Sequence, residues 1–241
     1  MPKGEGLAIT QITNFTSDEY WDTDGTIQPQ NTYHKWELQP YVEYGLTERI
    51  TIGGTAYLQH TMQSGDKNRG IADPEFFARM KLWQHGPHLL SIQPLIKLPS
   101  RFEHHSSTPR GGSKSTDAEL SLLYGRNLPI VSDNDYADIR LGYRSRSRHL
   151  HSQFRFDAAL GLKPFERWQF IPAMRYVEAS TIDTAAFRQN GELDYDLLKG
   201  ELTVLYSLPS GNWVHATYFK HLQGYQTGTG SGISLGYAVR F

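Results

Sequence analysis

The last ten residues, Gly232 to Phe241 (GISLGYAVRF), alternate without a break: Ile233, Leu235, Tyr237, Val239 and Phe241 fall on one side, Ser234, Gly236, Ala238 and Arg240 on the other. Successive side chains of a strand point to opposite faces, so the pattern predicts a β-strand with one apolar and one polar side. It recurs upstream. Apolar positions alternate with Lys199, Glu201, Thr203 and Ser207 between Leu198 and Leu208, with Arg155 and Asp157 between Phe154 and Leu162, and with Asp138 and Arg140 between Ala137 and Tyr143. In the first half Trp36–Leu46, Ile50–Leu58, Pro74–Leu82, Leu90–Leu98 and Ala118–Tyr124 repeat the pattern. Three stretches, roughly 5–17, 168–178 and 213–223, mix polar and apolar residues on both faces and are read as strands from their spacing.

The total is about twelve strands. Connections near 46–49, 84–88, 129–135, 164–167 and 208–212 are short, whereas those near 22–31, 62–70, 101–115, 180–193 and 224–231 are longer and rich in Gly, Ser, Thr and Asn. Only the link at 147–152 breaks the alternation, being short where a long one is due. Stripes that suit hydrocarbon on one face, with short turns and long loops in alternation, predict a transmembrane barrel with short periplasmic turns and longer extracellular loops. An open sheet in lipid would leave edge N–H and C=O groups unpaired at several kcal/mol each, so the sheet must close. The expected architecture is therefore all-β: a single antiparallel barrel over residues 1–241, with both termini on the periplasmic side.

Aromatics are expected to mark two lipid–water interfaces. Tyr44, Trp83, Tyr124, Trp168, Tyr206 and Trp213 lie beside short turns, and Trp21, Tyr33, Trp36, Tyr143 and Tyr176 near long loops. Prolines 40, 74, 94 and 172 fall inside strands. Because proline removes a ladder hydrogen bond, these sites are expected to be kinks or bulges.

Composition narrows the function. Charge is balanced at 24 Lys+Arg against 25 Asp+Glu, which gives no field for nucleic acid. Cysteine is absent, which removes disulfides, thiolate metal sites and Cys nucleophiles. Mean hydropathy is −0.53, and no apolar run approaches the ~18 residues of a membrane helix; a barrel, diluted by its polar half, is compatible with both facts. The opening MPKGEG lacks the apolar segment of a signal peptide, so the barrel reading implies a signal already removed, with Met1 standing ahead of the mature start.

Projecting the polar face inward predicts a pore lining of Glu37, Glu43, Asp73, Glu75, Arg79, Lys81, Lys97, Glu119, Asp138, Arg140, Arg144, Arg155, Asp157, Arg175, Lys199, Glu201 and Arg240. The early acids (Glu37, Glu43, Asp73, Glu75) and the later arginines (Arg140, Arg144, Arg146, Arg155, Arg175) should lie roughly opposite each other, giving a field across the pore. Tyr237, Val239 and Phe241 form an apolar-aromatic terminal signal similar to the one read by the barrel-assembly machinery. The other expected partners are outer-membrane lipid, lipopolysaccharide and small solutes, with the chain a monomer; no cofactor or metal is expected.

The runs YVEYGLTERITIGG (Tyr41–Gly54), GIADPEFFARMKLW (Gly70–Trp83) and SIQPLIKLPS (Ser91–Ser100) resemble the outer-membrane channel family named for the meta-pathway of phenol degradation. The likeness runs from the KGEG start to the terminal Phe, on strand-and-turn signatures of moderate specificity. It implies a twelve-stranded monomeric barrel that takes up small, partly hydrophobic molecules, and it brings no catalytic residues. A passive outer-membrane channel is the favoured reading.

The competing classes are an outer-membrane lipid hydrolase and a structural or adhesive barrel. A hydrolase needs a nucleophile, a base and an orienting group together. His104, His105, Ser106 and Ser107 supply the residue types, but in a polar loop beside Pro109-Arg110-Gly111-Gly112. His149 with His151, and His85 with His88, lack the further ligands a metal site requires.

Overall fold

The computed structural model describes residues 1–99, 101–103, 115–147, 150–182 and 194–241. Every element is a strand: β1 Gly6–Trp21, β2 Ile27–Gly45, β3 Ile50–Gln63, β4 Asp66–His85, β5 His88–Lys97, β6 Arg101–Glu103, β7 Asp117–Asn127, β8 Tyr136–Arg146, β9 Gln153–Phe165, β10 Trp168–Ala179, β11 Asp196–Ser207, β12 Trp213–Tyr225, β13 Thr227–Gly228 and β14 Gly230–Arg240. Twelve of these are long. Each pairs antiparallel with its neighbours, and β1 pairs with both β2 and β14, so the sheet closes. The closing register runs from Leu7 opposite Arg240 to Thr16 opposite Ser231. The short β6 pairs with β4 and β13 with β1.

Burial is inverted relative to a water-soluble domain. Ile233 and Leu235 are 55% and 56% exposed, while Ser234 between them is 5% exposed. Across the sheet Leu38, Val42, Phe76, Met80, Leu120, Leu122, Leu141, Leu202 and Tyr218 face outward, whereas Thr13, Glu43, Gln93, Lys97, Glu119, Ser121 and Arg144 are buried. An apolar surface around a polar interior is what alternation produces when lipid, not a second sheet, receives the apolar face.

The five short connections are seen at 46–49, 86–87, 128–135, 166–167 and 208–212. Three of the expected long loops are at least half strand, 224–231 among them: β12 runs to Tyr225, β14 starts at Gly230, and β13 between them pairs with β1. The stretch at 62–70 is a two-residue turn at Ser64-Gly65, both with positive φ (55° and 87°), the type I′ geometry that matches strand twist. That at 22–31 shrinks to 22–26, where Asp22 Oδ1 accepts the amides of Asp24 and Thr26. Polar residues there do not stop the ladder, because above the bilayer a strand with two wet faces still pairs. The loop segments 104–114 and 183–193, and His149, lie outside the described residues.

Pro74 sits in a bulge: Thr55 pairs with Glu75 and Tyr57 with Ala72, giving β4 the extra residue, with Asp73 at φ 29°. Pro40, Pro94 and Pro172 keep register instead, opposite Thr10, Leu120 and Leu202. A single missing donor is absorbed there without a shift in pairing.

The 128–135 turn is built on Asp135, which is fully enclosed. Its carboxylate accepts the amides of Val131 (2.6 Å), Ser132 (2.8 Å) and Ile130 (3.2 Å), the Ser132 hydroxyl (2.9 Å) and, from β9, the Lys163 amide (2.7 Å). Burial pushes its pKa up, but the Lys163, Val131 and Ser132 donors outweigh that and hold the carboxyl well below the usual range.

Candidate functional site

The inner face carries a continuous chain of charged contacts. At its centre is Glu119 of β7, whose side chain is fully enclosed. Arg144 Nε donates to it at 2.7 Å, Arg140 pairs with it, Arg155 lies 3.6 Å away, and Ser121 Oγ donates at 2.6 Å. Arg144 also reaches Glu75 of β4 at 2.8 Å, spanning β5 and β7. Arg140 continues to Asp157 (3.6 Å), Asp157 to Arg175 (3.6 Å), Arg175 to Glu201 (2.8 Å), and Glu201 to Lys199 (2.6 Å).

The chain then changes character. Lys199 Nζ stands 5.2 Å from the Phe219 ring centre. Phe219 stacks on Phe15 at 6.0 Å, and Phe15 contacts His221 at 4.8 Å and Tyr33 at 6.2 Å. A cation over an aromatic face is a favourable junction between ionic and apolar surface. The interior thus carries its longest ionic chain on β4 and β7–β11 and an aromatic cluster on β1, β2 and β12, and the two meet at Lys199 and Phe219.

The other expected lining residues form satellites. Glu37 holds Lys35 (3.2 Å) and Gln59 (2.6 Å). Glu43 takes the Tyr41 hydroxyl (2.8 Å) and Arg79 (3.4 Å), and Arg79 also donates to Gln93 (2.9 Å). Lys97 lies between Asp117 (2.7 Å) and Asp73 (3.6 Å). Lys81 bonds Gln84 near the short turn, away from the chain. Asp138 is exposed and has no ion pair among the described residues, and Arg240 lies 4.8 Å over the Trp213 ring at the short-turn end. The early acids and the later arginines are bridged by Arg144–Glu75 rather than held apart, and Lys35, Arg79 and Lys97 stand among the acids.

Three aromatics expected at the lipid interfaces turn inward. Trp21 is buried, Tyr33 packs on Phe15, and Trp213 shares the inner face of β12 under Arg240. Trp36, Trp83, Tyr143 and Trp168 face outward as expected, and Trp168 packs on Tyr206. Sequence reasoning missed the aromatic side altogether, although Phe15 and Phe219 share strand parity with the polar positions around them. It also missed the contacts of Asp194 with Arg146 (3.2 Å) and His151 (2.8 Å). The His104–Ser107 cluster weighed for hydrolysis lies outside the described residues, and among those residues no group of three His, Asp or Glu is placed to hold a metal.

The backbone matches that of the COG4313 outer membrane channel from Pseudomonas putida F1 with a TM-score of 0.82, over 100% of this chain and 97% of that one, at 12% identity. This chain has the fold of an outer-membrane β-barrel. The KdgM porin, solved in complex with disordered oligogalacturonate, aligns with a TM-score of 0.59 at 9% identity over 97% of this barrel and 99% of KdgM. The NanC porin gives 0.59 at 9% identity over 95% and 98%. No protein-family model matches the sequence, and no curated protein is found similar to it. At such identities the likeness is one of fold.

Proposed function

We propose that this outer-membrane barrel is a passive channel for small solutes that carry an apolar or aromatic part, and that the seventeen charged residues read from the sequence, together with Phe15, Tyr33, Phe219 and His221, line its path. One observation carries the reading: the interior offers ionic and aromatic surface side by side, joined at Lys199 and Phe219. A solute with a ring and a polar group would exchange water for stacking on one side and hydrogen bonds on the other. The P. putida channel and the two porins of like fold support a channel in general terms. We assign no catalytic residue and no cofactor, and read the barrel as a monomer. The outward-facing Tyr237 and Phe241, with Val239, are the segment we assign to the assembly machinery.

The test is flux through liposomes holding the purified barrel, with phenol, benzoate and a sugar of similar size outside. Aromatic solutes should enter faster than the sugar, and Phe15→Ser with Phe219→Ser should abolish that preference while leaving sugar flux intact. Rates that follow solute size alone would overturn the specificity. Release of fatty acid from the liposomes would favour the hydrolase, and neither flux nor release would favour an adhesive barrel.

A further inference from the structure

On the outside of β1–β4 the lipid-facing rows follow the pairing register. Ile12, Leu38, Leu58 and Ile71 form one row, all apolar. The next row toward the extracellular end is Asn14, Trp36, His60 and Arg69, and Lys67 lies one outward position beyond Arg69. The hydrocarbon boundary therefore falls between these rows, and Trp36 marks it. Between the rows the wall is concave: a groove of about 540 Å³ has Leu38, Leu58 and Ile71 on its floor and Trp36, His60 and Arg69 at its rim. Arg69 and Lys67 are exposed and have no ion-pair partner among the described residues, unlike the arginines inside the barrel. Asp66, at the hairpin tip, is the nearest carboxylate along the strand, and across the ladder β6 places Glu103 opposite Arg69 and Arg101 opposite Ile71.

From this juxtaposition we infer a lipid-binding site for a phosphorylated, multi-acyl glycolipid of the outer leaflet. An acyl chain lies along the apolar floor, and the phosphate accepts from the Arg69 guanidinium and from Lys67. Guanidinium is suited to bidentate capture of phosphate. Charge complementarity and continuity with the lipid-facing band select this occupant: a protein partner would not need the floor to run on into hydrocarbon. The inference rests on the barrel's place in the membrane and not on the transport reading.

The experiment uses the full-length barrel in non-ionic detergent with hexa-acylated bisphosphoryl lipid A as the probe, read by native mass spectrometry. Phosphatidylcholine and inorganic phosphate are the comparison ligands. The wild type should hold one lipid A with little phosphatidylcholine bound. Arg69→Gln with Lys67→Gln should weaken that binding at least tenfold, while Arg126→Gln, on the outward face near the periplasmic turn, should leave it unchanged. Channel conductance of the double variant should equal wild type, which reports an intact barrel and keeps this test separate from that of transport. Undiminished lipid A binding by the double variant, no lipid A on the wild type, or displacement of the lipid by inorganic phosphate would each overturn the site.

Discussion

Replacing Glu119 by Gln tests the interior most directly. The substitution keeps shape and one acceptor oxygen but removes the charge around which Arg140, Arg144 and Arg155 gather. Removing one partner of a fully buried pair costs about 3–5 kcal/mol, because the other charge is left uncompensated. The full figure does not apply here. Arg144 keeps Glu75 at 2.8 Å and Arg140 keeps Asp157 at 3.6 Å, and the Arg140 and Arg155 side chains, each 26% exposed, are screened by water. A loss of about 2 kcal/mol follows. Glu201→Gln is the internal reference: its partners are Lys199 and Arg175, the latter 46% exposed, so about 1 kcal/mol or less is expected. Urea unfolding of the barrel refolded in phospholipid vesicles, followed by tryptophan fluorescence, gives both values from the midpoints if the slopes stay equal. Equal costs at the two sites, or a loss below about 0.5 kcal/mol at Glu119, would refute an enclosed network centred on that residue.

Gly232→Ala places a Cβ 2.5 Å from the Asn14 backbone oxygen and 2.4 Å from the Phe219 ring, so about 1–3 kcal/mol of overpacking is expected in the same unfolding assay; a neutral result would mean that β1 and β14 approach less closely. Asp135→Asn should lower the urea midpoint equally at pH 7 and pH 5. The folded pKa is depressed, so the stabilisation is complete above the ordinary Asp value of 3.8, and the gap to wild type should narrow only below it, as pH falls toward the folded value; a gap already closing at pH 5 contradicts the donor set around the carboxylate. Deleting Phe241, whose ring covers the Gly6 backbone and is 63% exposed, should leave refolding in detergent intact but cut the assembled fraction in cells several-fold, measured by protease resistance of outer-membrane fractions; equal assembly would remove the terminal signal.

Strand identity was legible because period-two alternation is a local property that survives wherever one face meets lipid. The faces were legible too: Leu120, Leu141 and Leu235 point out, and Glu119, Arg144 and Ser234 point in. Errors arose where position along a strand was used in place of parity. Tyr33 shares parity with Glu37, and Trp213 with Phe219, which places both inside even though each lies near a strand end. Strand length was underestimated at 22–31, 62–70 and 224–231, since polar composition signals water and not the end of pairing. The partners of the ion pairs were out of reach. Arg144 meets Glu75 only because β4, β5, β7 and β8 lie side by side in a fixed register, a product of the whole sheet that no local window contains.

A charged interior of this kind would be an expensive core for a soluble domain, where desolvation of each ion must be offset by its partners. A barrel removes that conflict. Its apolar area is satisfied by lipid on the outside, and its backbone groups by the closed ladder, so neither has to be served from within. The inner face is then free to hold Glu119 among three arginines on one side and Phe15 against Phe219 on the other, with Lys199 between them. Alternate residues of one strand thereby answer to different demands. Ser121 and Leu122 are neighbours in sequence, yet a charge at Leu122 would meet hydrocarbon at a cost of up to about 2–4 kcal/mol, whereas one at Ser121 would join an existing network and change what the interior holds.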